Sequence, residues 1–106
     1  MNDRTFNGMQ VFYTPQISEA IIETLGEYFI ASGYADGNEK TAVLSQPNNA
    51  YELGLIVQPG VEQVQENRDL FKAFAEELCA CVFEGEKVNF YLCDSELEPL
   101  IVFSIG

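Results

Sequence analysis

The stretch Asn67 to Gly85, NRDLFKAFAEELCACVFEG, forms a helix that cannot exist alone. With successive residues about 100° apart, Phe71, Phe74, Ala75, Leu78 and Val82 share one face, with Leu70 and Cys81 at its flank. Lys72, Glu76, Glu77 and Glu84 take the opposite face. An apolar stripe of that width needs a sheet or a second helix beneath it. Asn67 or Asp69 is expected to cap the first turn, and Gly85 to provide the left-handed residue that stops the helix.

A partner surface is available within the chain. Its 106 residues suit a single domain over 1–106, and a fold of that size removes roughly two-thirds of its unfolded surface from water. Residues 1–9 are polar apart from Phe6 and Met9 and are expected to be irregular. Gln10 to Thr14 is a short strand rich in β-branched and aromatic residues. Thr14 and Pro15 are a helix start, since Thr can cap while Pro sits where its missing donor costs nothing. Ile21, Ile22, Leu25, Tyr28 and Phe29 then recur at helical spacing opposite Glu19, Glu23 and Glu27, and Gly33 lies past the end.

After the turn-forming YADGNE come strands at Lys40 to Gln46 and Ala50 to Gln58, separated by Pro47, Asn48 and Asn49. In the second, Tyr51, Leu53, Leu55 and Val57 alternate with Glu52, Gly54, Ile56 and Gln58, the mark of a sheet with one face on the core. A loop over Val61 to Glu66 leads into the Asn67 helix. Beyond it, Lys87 to Cys93, the polar turn DSELEP and Leu100 to Ile105 read as a terminal hairpin. The order βαββαββ predicts an α+β two-layer sandwich: two helices on one face of a mainly antiparallel sheet, a ferredoxin-like variant with an added strand.

The fragments LGEYFIASGYADGNEK, NNAYELGLIVQPGVE, FAEELCACVFEG and VNFYLCDSELEPLIV resemble a small bacterial domain family of unknown function. Leu25, Gly26, Tyr28, Gly33, Asp36, Gly37, Tyr51, Glu52, Val82, Phe83, Gly85, Leu92, Cys93 and Asp94 carry the likeness, which includes a Val-Phe-x-Gly helix end and a Leu-Cys-Asp strand end. It runs from about Tyr13 to Val102. The resemblance implies a single α+β module and supplies no catalytic residue.

Charge and residue types narrow the chemistry. Seventeen acidic and five basic residues leave a formal net charge of -12, which repels phosphate backbones and argues against nucleic acid as a partner. No apolar run approaches the 18 or so residues of a membrane span, and MNDRTFNGMQ lacks the apolar core of a secretion signal. Three cysteines do not close a disulfide framework, so reduced thiols and a cytoplasmic setting are expected. Histidine is absent, which excludes Ser-His and Cys-His nucleophiles. Cys79 and Cys81 point about 200° apart on a helix and cannot share one ion. Asp36, Asn38 and Glu39 begin like a calcium loop, but Thr41 stands where its glycine belongs and Pro47 takes the twelfth position. No metal, no cofactor and no enzymatic activity are expected.

The sheet offers the more informative feature. If Tyr51, Leu53, Leu55, Val57, Val88, Phe90, Leu92, Ile101, Phe103 and Ile105 face the helices, then Ile56, Tyr91, Cys93, Leu100 and Val102 lie on the far side. Two helices cover one side only. Ile56, Tyr91, Leu100 and Val102 are therefore the candidate interaction surface, a natural contact for a second copy or another protein. The expected role is a non-enzymatic, self-associating interaction module, a homodimer through this face or through the terminal strand edge. The alternatives are a secretion-chaperone-like adaptor and a small-molecule sensor with a pocket lined by Tyr28, Tyr34 or Tyr51.

Overall fold

Asn7 and Gly8 both have positive φ, 48° and 89°. Two left-handed residues in succession are what a two-residue hairpin turn requires, and Asn-Gly supplies them at little steric cost. They fold Asn2–Phe6 (β1) back on Met9–Tyr13 (β2), with Phe6 opposite Met9. Of the irregular segment expected over residues 1–9, residues 2–9 instead form a strand, a turn and the first residue of β2. The computed structural model describes residues 2–105, and Met1 and Gly106 lie outside the described residues.

The remaining elements are Glu19–Ala31 (α1), Lys40–Ser45 (β3), Tyr51–Ile56 (β4), Gln65–Cys81 (α2), Val88–Cys93 (β5) and Pro99–Ile105 (β6), with a 3-10 turn at Val61–Gln63. The start of α1 is Ser18, whose hydroxyl accepts from the Ile21 N–H, and not the expected Thr14. Thr14 continues the sheet instead, its N–H donating to the Leu44 carbonyl at 3.2 Å. The start of α2 also differs. Val64 precedes it without a side-chain cap, while Asn67 donates to the Val61 carbonyl and Asp69 accepts from Gln65. As expected, Gly33 and Gly85 follow the two helices in left-handed conformation.

The observed order is therefore ββαββαββ, and the six strands lie side by side as β1-β2-β3-β4-β5-β6. The pairs β2/β3 and β4/β5 are parallel and the other three antiparallel, so the sheet is mixed. A ferredoxin-like sheet splits each βαβ unit with an intervening strand. Here each helix joins direct neighbours, so that expectation does not carry over.

Paired residues share a face. Val11, Ala42, Leu55 and Leu92 therefore form one row across the strands, and Tyr13, Leu44, Leu53 and Phe90 another, all buried. Ile22, Leu25 and Phe29 of α1 and Ala75 and Leu78 of α2 close over these rows. The helices meet at Phe29 and Phe74, ring centroids 5.9 Å apart. Both helices thus lie on one side, as the two amphipathic patterns predict.

That placement fixes the winding of the chain. Strands advance in one direction across the sheet, but β3 and β4 are antiparallel, so the second βαβ unit runs opposite to the first. Two such units with helices on the same face must have opposite hands. One crossover is left-handed, against the usual right-handed rule.

Candidate interaction surface

The far side of the sheet is built from the residues that alternate with the core rows: Phe12, Val43, Ile56, Tyr91 and Val102 among them. Phe12, Thr41, Val43 and Ile56 form the floor of a groove of about 310 Å³, and Ser95 and Leu97 form its wall. A smaller hollow of about 110 Å³ continues it past Leu97 to Ser45, Glu52, Gly54, Tyr91 and Cys93. Gly54 keeps that floor low, since a Cβ there would stand 3.3 Å from the Cys93 sulfur.

Leu97 reaches this face because the β5–β6 loop is bonded to itself. The Asp94 carboxylate accepts from the Glu96 and Glu98 N–H groups at 2.9 and 3.0 Å, and the Leu97 N–H donates to the Asp94 carbonyl at 3.0 Å. Leu97 takes φ 66° and remains 50% exposed. A leucine held in left-handed backbone and half in water is a strained way to close a turn. It is effective as the wall of a groove.

The four sequence-predicted surface residues separate. Ile56 lies in the groove floor and Tyr91 in the smaller hollow. Val102 stands opposite Tyr91 and is 47% exposed. Leu100 sits beside the register shift next to Leu92 and Cys93, half-buried, and lines neither hollow. Sequence reasoning missed Phe12, Val43 and Leu97. The first two were legible as alternates to buried neighbours, whereas Leu97 sits in a turn of polar composition that gives no such signal.

Electrostatics around the groove are sparse. Burial, then the neighbouring Glu52 carboxylate, pushes the Tyr91 phenol above the ordinary range. Burial likewise raises the Cys93 thiol, which makes it a poor nucleophile. Cys79 donates to the Glu86 carbonyl at 3.1 Å, and Cys81 is exposed. Among the described residues no group of three or more His, Cys, Asp or Glu could hold a metal ion. Nor is any helix among the described residues long and apolar enough to cross a membrane.

A second concavity, of about 450 Å³, lies between the end of α1 and the start of α2, lined by Ser32, Gly33, Tyr34, Asn67, Leu70, Phe71 and Phe74. Tyr34 packs there against Phe29, Phe71 and Phe74, and Lys40 lies over its ring 4.6 Å from the centroid. Tyr28 instead contacts Phe74 and Glu77, and Tyr51 lines a separate acidic hollow with Glu84 and Glu86. Of the three candidate pocket tyrosines, Tyr34 and Tyr51 thus line separate hollows.

Burial, then the nearby Asp36 charge, pushes Tyr34 up to about 12. An acid whose folded pKa is raised stabilises the fold below its unfolded pKa near 10, and loses that contribution as pH rises through the folded value. Stability is therefore expected to fall between pH 10 and about 12, less steeply in Tyr34→Phe. Urea unfolding at successive pH values checks this; parallel curves for the two proteins would refute it.

Residues 4–104 match the model of the AF_1994_N family N-terminal domain. No curated protein and no solved structure matches.

Proposed function

The chain belongs to the AF_1994_N family through this N-terminal domain, and we propose that it is a non-enzymatic protein-interaction module that takes partners on the far face of its sheet. The observation that carries this reading is the groove of Phe12, Val43 and Ile56 walled by Leu97. An open apolar trough on an otherwise acidic molecule suits an extended apolar segment of a partner protein, which would be shielded there from water. An adaptor that holds such a client is the form of module this shape fits best. The exposed Cys81 thiol, beside two buried ones, supports a reducing, cytoplasmic setting.

Ile56→Glu and Val43→Glu place charge in the groove floor without entering the core. Immobilised wild-type chain is expected to retain a partner from an extract of its own cells. Both variants should lose at least about tenfold of that capture, because a carboxylate desolvated against an apolar segment has no partner. Equal capture by wild type and both variants, at unchanged thermal stability, would sink this reading.

The aromatic concavity beside Tyr34 favours a second reading, a sensor of small apolar ligands. Its mouth carries Leu70, 68% exposed. A saturating ligand would raise the melting temperature. Leu70→Asp should abolish such a shift.

A further inference from the structure

The two edges of the sheet are guarded differently. Edge strand β1 carries Asp3 and Arg4, and Arg4 lies 3.8 Å from Glu19 and 3.3 Å from Glu23. Charge on an edge is a usual defence against pairing with another chain. Edge strand β6, PLIVFSI, has no ionisable side chain. Its helix-side residues Ile101, Phe103 and Ile105 are half-buried, whereas Leu92, Phe90 and Val88 opposite them are fully buried. The core runs out beneath β6.

Helix α2 borders the same edge and packs against β6. It meets α1 through Phe74 and Glu77, both against Tyr28. Lys72 and Glu76, on the other flank at helical spacing, therefore face away from α1. Among the described residues neither has an ion-pair partner within 4.0 Å.

We propose that β6 pairs antiparallel with β6 of a second copy about a twofold axis, joining two six-stranded sheets into one and leaving the far-face groove free for a client. This rests on reading the chain as a protein-interaction module. Neighbouring strands lie about 4.8 Å apart, so helices seated over β5 and β6 on each side of the axis have their axes about 10–15 Å apart. The two copies of α2 run antiparallel across the joint. Lys72 of one then meets Glu76 of the other, and the reverse, so the flank is complementary to itself. An acidic chain can approach its own copy most closely along an edge strand that carries no acid.

Sedimentation velocity over a range of concentrations, with hydrogen exchange read on residues 99–105, tests the pairing. The expected result is a dimer whose β6 amides slow as concentration rises. Lys72→Glu should weaken it about tenfold, the scale of several surface charge contacts. Adding Glu76→Lys should restore it, and Ile56→Glu should leave it intact. A chain that stays monomeric overturns the proposal. So does a dimer whose β6 amides are unprotected, or one that Lys72→Glu does not weaken. A dimer broken by Ile56→Glu alone would move the contact to the far face. Wild-type chain that forms the β6 dimer, yet loses no captured client on Ile56→Glu substitution, would count against the module reading only.

Discussion

Phe90→Ala is expected to lower the free energy of unfolding by about 4 kcal/mol, within the range seen when a buried Phe is cut to Ala. Phe90 is fully buried in the sheet beneath both sources of aromatic cover. Its ring stands 6.3 Å from Phe74, 6.4 Å from Phe71 and 6.4 Å from Phe103, joining α2 to the edge strand. Removing it empties a space that three other rings would have to collapse into. Rings held by a helix on one side and a strand on the other do not collapse freely. Against a total stability of about 5–15 kcal/mol, the loss would be plain in a urea titration. A change below about 1 kcal/mol would mean that the aromatic seam is slack and that α2 is held by something else.

The second large effect reverses what helix propensity alone implies. Gly26 lies in the middle of α1, where Ala is better by about 1 kcal/mol. A Cβ at Gly26, however, would lie 2.3 Å from two atoms of the Phe6 ring and 2.5 Å from a third, so the body of the ring must leave. Phe6 belongs to β1, and this contact docks the first hairpin against α1. Gly26→Ala is expected to destabilise by roughly 2 kcal/mol, the usual scale of overpacking. In a Phe6→Ala background the same change should become stabilising, because the obstacle has gone and the propensity gain remains. A double-mutant cycle by chemical denaturation separates the two terms. The same sign in both backgrounds would show that the ring does not rest on Gly26.

What could be read in the residues was whatever depends on near neighbours. Local patterns such as the periodicity of Phe71, Phe74 and Leu78 and the alternation of Tyr51, Leu53 and Leu55 gave both helices and five of the six strands, because each pattern is settled within a few residues. The Asn7-Gly8 turn was legible by the same logic, since that dipeptide is the strongest local hairpin signal, and it was passed over in a polar context. Strand order was not legible. Whether β2 lies beside β3 is decided by pairing across a whole helix, which no local pattern encodes. The candidate site divides along the same line. Ile56, Tyr91 and Val102 follow from alternation, whereas their grouping with Phe12 and Val43 follows from strand order. Leu97 depends on a backbone conformation that leucine rarely adopts.

The opposed hands of the two crossovers bear on how the molecule comes together. A strand with natural twist returns through its helix in one sense, so one of the two units has no local reason to coil as it does. The bias must come from the rest of the assembly, above all from the seam where Phe29 meets Phe74. Neither half should then be self-sufficient. Chains severed between residues 46 and 50 would remain unstructured apart and recover order only when mixed, which makes this small protein an all-or-none object rather than a pair of modules in tandem.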